Sequence, residues 1–147
     1  MKRYSAIITI AVAGFLFSAC SGTRPGHLGI QDDGQLAPCP STPNCVSSFA
    51  AKDDSRHYIA PIDADEGTWR QLEQVLEATP RIEIITRDEH YLRAAATTRI
   101  LRFVDDLEFL YQPGHSRIDV RSASRIGRSD FGVNRKRIER IREQLDK

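Results

Sequence analysis

Two long stretches of alternating character, 101–112 and 117–125, flank the four residues Pro113-Gly114-His115-Ser116, and this arrangement constrains the fold more than any other feature of the chain. Proline and glycine together mark a reversal, and a loop of this length between two such runs makes a β-hairpin. Setting Gln112 opposite Arg117 pairs Leu110 with Asp119, Glu108 with Arg121 and Asp106 with Ala123. Side chains alternate across a strand, so one face carries Asp106, Glu108, Asp119 and Arg121. The other carries Leu107, Phe109, Tyr111, Ile118 and Val120. A slip of one residue would drive the charges into the apolar side, and their desolvation cost fixes the register. The apolar face requires a cover, and the charges are expected to point outward.

The rest of the chain supplies that cover. Residues 58–62 suit a short edge strand, since Pro61 lacks the amide that a central ladder needs. Asp63 and Asp65 are N-cap candidates for a helix to about residue 79, with Trp69, Leu72, Val75 and Leu76 on one stripe and Pro80 as its stop. Ile82, Ile84 and Thr86 alternate, 88–90 is a polar turn, and 91–98 reads as the partner strand. A last helix is expected over 130–145, capped by Ser129 or Asp130, with Ile138, Ile141 and Leu145 on its apolar side. Arg135, Lys136, Arg137, Arg140 and Arg142 take much of the remainder, with Glu139 and Glu143 as local partners. That face reads first as solvated, with an anionic ligand or a phospholipid surface as the alternatives. The order strand, helix, four strands, helix predicts an α+β domain: an antiparallel sheet of about five strands with two helices packed on one face. A parallel α/β sheet would need helices between successive strands, and the pattern has none there.

At the other end, Lys2 and Arg3 precede an apolar run over 7–17 that closes in Phe17-Ser18-Ala19-Cys20. Residues 1–19 read as a secretory signal, too short to cross a bilayer comfortably. The cysteine after two small residues resembles the signal of a bacterial lipoprotein. That resemblance implies a lipidated Cys20 at the mature amino terminus, carrying diacylglyceryl and further acyl chains such as palmitate. At about 0.8 kcal/mol per buried methylene, two or more chains anchor stably where one is marginal. Ser21, where an inner-membrane retention signal would carry aspartate, favours an outer-membrane, periplasm-facing address. Residues 20–36, small and polar without apolar period, are expected to form a flexible tether, and 37–147 a single domain.

Charge and cysteine usage fit that setting. Removing Lys2 and Arg3 leaves 19 basic residues against 20 acidic ones, about −1, so no global field draws the chain to nucleic acid. With Cys20 lipidated, Cys39 and Cys45 remain, and an even pair in an oxidising compartment is most simply a disulfide. Closing so small a loop contributes about 2.4 kcal/mol on the chain-entropy relation. The rival readings are a metal site, for which His27, His57, His90 and His115 are too scattered, and a redox pair, for which the spacing departs from Cys-x-x-Cys.

Three phrases then line up with one family: Cys39-Pro40 with Asn44-Cys45-Val46-Ser47-Ser48; Phe103-Val104-Asp105-Asp106-Leu107-Glu108-Phe109; and the run from Arg121-Ser122-Ala123-Ser124-Arg125-Ile126-Gly127 through Ser129-Asp130-Phe131-Gly132-Val133-Asn134 to Ile138. Together they resemble the bacterial and plastid family known as domain of unknown function 1499, over about residues 36–145. The resemblance implies an envelope or membrane-associated domain with no assigned reaction.

The same motifs concentrate polar groups beyond what a strand needs. Arg121, Ser124, Arg125, Ser129, Asn134 and Arg137 form the candidate anion-binding set, with amides at the start of the last helix. The competing reading pairs Asp105, Asp106 and Glu108 with Arg121, Arg125 and Arg137 as ion pairs that fix the register and dock the helix. Catalysis has weaker support. Ser122, Ser124 and Ser129 lie in no nucleophile elbow, and Asp105 and Asp106 point to opposite faces. His57, in a polar turn near the cysteine loop, reads as solvated. No catalytic residue, metal ligand or cofactor is assigned. The expected functions are, in order, a lipid-anchored binding or accessory module for an envelope partner, a binder of an anionic small ligand or lipid headgroup, and a small hydrolase using Asp, Ser and Arg residues.

Overall fold

The computed structural model describes residues 25, 26 and 28–147; residues 1–19, expected to be a secretory signal, and Cys20 lie outside them. Six antiparallel strands form one sheet: β1 (Cys45–Ser47), β2 (Ile62–Asp63), β3 (Ile82–Arg87), β4 (Tyr91–Thr97), β5 (Val104–Gln112) and β6 (Arg117–Ser124). Their order is β1-β6-β5-β4-β3, with β2 also pairing β6. Helices α1 (Glu66–Ala78) and α2 (Val133–Leu145) pack on one face.

The expected α+β architecture is present, and so is the hairpin register: Gln112 faces Arg117, Glu108 faces Arg121 and Asp106 faces Ala123. Pro113–His115 form a single turn of 3-10 helix, closed by Ser116 in the left-handed region at φ 50°. The core joins Leu107, Phe109, Ile118 and Val120 of the hairpin to Leu72 and Leu76 of α1 and Ile138 and Ile141 of α2. Ala94 and Ala96 of β4 belong to the same core, and their small size leaves room for helix side chains above them. Trp69 stacks on Tyr111 with centroids 5.5 Å apart while its indole N–H donates to Glu89 O at 2.9 Å. Buried aromatic bulk and a satisfied polar tip fit a core role.

Of the two cap candidates, Asp65 starts α1, its carboxylate accepting from Thr68 N at 2.8 Å. The start of α2 differs from expectation. Gly132 at φ 77° redirects the chain, so the helix begins at Val133, and the Asp130 carboxylate accepts from Gly132 N and Asn134 N just ahead of it. The strand expected from residue 101 begins at Val104, because 98–103 close on themselves: Thr98 N donates to Phe103 O, and Phe103 N to Thr98 Oγ1.

The sheet edge also departs from the sequence reading. The strand expected over 58–62 is reduced to Ile62–Asp63, and the main edge strand is Cys45–Ser47, which the alternation did not single out. Between them Ser48 bonds Val120 through its backbone N–H and its hydroxyl, and Asn44 O accepts from Ser124 N. The outer edge of β6 is thereby occupied along most of its length, which blunts edge-to-edge association.

The largest correction concerns the charged face. Asp106, Glu108, Asp119 and Arg121 do not meet solvent; each is buried. Residues from 29 onward, expected to be tether, lie across them. Leu36 packs with Tyr91 and Leu110, and Gly29 N donates to Glu108 Oε1 at 2.7 Å. Polar pairing on the sheet makes this burial tolerable, and alternation alone carries no sign of it. Substituting Ala94→Leu is expected to destabilise the protein by about 1–3 kcal/mol through overpacking, read by urea unfolding as a lower midpoint with an unchanged slope.

Candidate functional site

Alternation splits the polar residues of the hairpin into two layers. On the face away from the helices, Glu108 accepts from Arg121 Nη1 at 2.9 Å, from the Tyr91 hydroxyl at 2.8 Å and from Gly29 N. Glu108 is 0% exposed and Arg121 1%. Two residues along the strand, Asp106 receives a forked pair of bonds from Arg125 at 2.8 and 2.9 Å, with Arg93 Nη1 3.6 Å away. The bond to Asp106 raises the pKa of Arg125, so the charge is held firmly. Asp119 completes the row, accepting from Gln112 and Arg117; burial nevertheless raises its pKa.

On the helix face the arrangement is different. Asp105 pairs with Arg137 at 2.7 Å, and Arg137 also donates to Asn134 Oδ1. Fully buried Asn134 accepts from the Ser122 hydroxyl at 2.5 Å and donates to Ser124 Oγ and to Asn44 O. Asn44 in turn donates to Gly127 O at 2.7 Å. This network ties three sequence motifs together: the loop closed by the Cys39–Cys45 disulfide, the end of β6 and the first turn of α2. His57, expected to be solvated, is buried, held between the Asp54 carboxylate at 2.7 Å and Thr42 O at 3.3 Å. Its bond to Asp54 lowers the pKa of that carboxyl.

The structure therefore does not bring the six candidate anion-binding residues to one place. Arg121 and Arg125 lie on the covered face, each bonded to a carboxylate, while Ser124, Asn134 and Arg137 lie on the helix face. Ser129 caps locally, its hydroxyl accepting from Phe131 N. The ion pairs weighed as the alternative are present: Glu108 with Arg121, Asp106 with Arg125 and Asp105 with Arg137. Among the described residues no group of three or more His, Cys, Asp or Glu side chains is placed to hold a metal ion.

A different concavity collects cations. A groove of about 840 Å³ runs between α1 and α2 over the β3–β4 side of the sheet, lined by Arg81, Arg99, Lys136, Arg137 and Arg140 among uncharged residues. No carboxylate lines it. The acids of α1 turn elsewhere, Glu73 and Glu77 both pairing with Arg87. Of the five cations, only Arg137 has a carboxylate within ion-pair distance among the described residues. Sequence reading noticed the cations of α2 but passed over Arg81 and Arg99. Each lies at a chain reversal, Arg81 at φ 65° between α1 and β3, and Arg99 just past the end of β4. Both reversals fall at the same end of the molecule, which is a tertiary fact. Arg93, alone among alanines and leucine in β4, was a visible signal of polar burial that was missed.

A two-layer α+β domain with an internally neutralised charged face is the class that these features define. Residues 35–145 match the family described as Protein of unknown function (DUF1499), and the chain belongs to that family. No curated protein and no solved structure matches the chain.

Replacing Glu108 by Ala is expected to cost about 3–5 kcal/mol, because it removes the carboxylate that pairs with the buried Arg121 guanidinium. In a double-mutant cycle with Arg121→Met the second substitution should restore part of that loss. Chemical denaturation of the four proteins measures the coupling, and additive effects would contradict the pairing.

Proposed function

We propose that this chain is a lipid-anchored, non-catalytic binding or accessory module of the bacterial cell envelope, and that it takes an anionic group, phosphate or carboxylate, in the groove between α1 and α2. The observation that carries the reading is the uncompensated charge there: Arg81, Arg99, Lys136 and Arg140 are all exposed and face one concavity with no acidic lining. Like charges gathered without partners raise the local concentration of anions, and guanidinium groups match the oxygens of phosphate and carboxylate in pairs.

A binding role is favoured over hydrolysis by the state of the hydroxyls. Ser122 donates to Asn134 and Ser124 accepts from it, so both are engaged in structural bonds instead of with a base. The anchor reading rests on the run ending in Cys20, and mass spectrometry of the mature protein is expected to find an acylated amino-terminal Cys20; an unmodified thiol there would remove it.

Ligand binding is testable with inorganic pyrophosphate as the probe in calorimetric titrations. Lys136→Ala with Arg140→Ala is expected to weaken binding about tenfold, each exposed cation contributing on the order of 0.7 kcal/mol, with little change in Tm. Arg125→Ala should instead lower Tm and leave the affinity alone, since Arg125 neutralises Asp106 on the opposite face. Equal affinity of the double variant and the parent protein would reject the groove as the site.

A further inference from the structure

Beside the cationic groove, two loops push large apolar side chains into solvent. Ile100 is 86% exposed, Leu101 65% and Phe131 89%. The first two come from the reversal between β4 and β5 and the third from the segment ahead of α2, far apart in sequence. They nevertheless line one hollow, together with Phe103 and Val133, and that hollow shares Thr98, Arg99 and Val133 with the groove. Phe131 is held outward at φ 53°, a conformation that a bulky side chain rarely adopts. The carboxylates of the hollow are engaged internally, Asp105 with Arg137 and Asp130 at the start of α2. Around the apolar tips stand exposed Arg99, Arg102 and Arg128.

The path of the chain points the same way. Pro25 lines a second cavity, on the other face of the sheet, together with Ser124 and Arg125. Ser124 also lines the apolar hollow, so the amino-terminal segment reaches the domain at the end of the sheet that carries Ile100 and Phe131. Five residue steps separate Cys20 from Pro25, and fully extended they span at most about 18 Å. A bilayer holding Cys20 lies within that reach of this end. The hairpin tip at His115 lies at the far end of β5, about 27 Å away at strand rise.

From apolar tips, a cationic rim and a short leash at one end of the molecule, we propose that these two loops dock on an anionic phospholipid bilayer, with Ile100, Leu101 and Phe131 entering the headgroup–acyl boundary and the arginines facing lipid phosphates. The orientation rests on the lipid-anchor reading, whereas the apolar cluster does not. Docking would bring the groove between α1 and α2 close to the membrane surface, where headgroups are the most abundant anions.

The test uses the mature form that begins at residue 20, carrying Cys20→Ser, so that neither acyl chains nor the apolar run over 7–17 contribute, with a spin label introduced in turn through Ile100→Cys, Phe131→Cys or His115→Cys. Accessibility to oxygen and to a water-soluble nickel complex is read on phosphatidylglycerol–phosphatidylcholine vesicles. Labels at 100 and 131 are expected below the phosphate plane, with the label at 115 in water. On pure phosphatidylcholine all three should remain in water. Leu101→Asp with Phe131→Asp should reduce partitioning onto the mixed vesicles by at least about tenfold without altering Tm, since both residues are exposed. Water-exposed labels at 100 and 131 on the mixed vesicles would overturn the proposal and leave the surface to a protein partner. An unmodified mature Cys20 would defeat only the anchor.

Discussion

Burial of Glu108 against Arg121 is the interaction on which the remaining architecture depends. A carboxylate and a guanidinium at the centre of a sheet are costly to desolvate, and only a complete set of partners offsets that cost. Glu108 accepts hydrogen bonds from Arg121, Tyr91 and Gly29. The pair thus joins β6 to β5 across the ladder, reaches β4 through the tyrosine, and recruits the segment before Leu36 as a lid. Pairs of this kind add little net stability compared with apolar packing. What they impose is a unique register, because any slip leaves a charge unmatched on both sides.

The two sides of β5 and β6 show how one hairpin serves two layers. Odd positions of β5 from Leu107 to Tyr111 meet the helices, and even positions from Asp106 to Leu110 lie beneath the amino-terminal segment. Asp105 breaks the apolar series at one end, and there it receives Arg137 of α2. The last helix is consequently docked by the Arg137–Asp105 ion pair together with the apolar contacts of Ile138 and Ile141. The disulfide-closed loop enters the same node through Asn44, so the crosslink supports the junction from which the exposed loop bearing Phe131 departs.

Cations are divided by the same logic. Those on the sheet, Arg93, Arg121 and Arg125, are matched to carboxylates and are structural. Arg81 and Arg99 at the reversals and Lys136 and Arg140 on α2 have no carboxylate at ion-pair distance among the described residues, and the surface they share adjoins the exposed apolar tips. An exposed apolar cluster costs solubility, and an unpaired cationic groove costs self-repulsion. Their coexistence at one end of a small domain is what a surface-docking face requires.

Much of this was legible in the amino-acid order. The Pro-Gly turn and the alternation of Leu107, Phe109, Ile118 and Val120 determined the hairpin and its register, the stripe of Trp69, Leu72 and Leu76 determined α1, and Asp105, Asp106 and Glu108 announced ion pairs with nearby arginines. These are short-range consequences of strand period, helix period and charge. Tertiary structure alone decided that the charged face is buried, that Cys45–Ser47 is an edge strand, and that Arg81, Arg99 and Lys136 share a groove. Each of those depends on which distant segment comes to lie against which surface. Alternation reports that two faces differ; it carries no information about what will cover them.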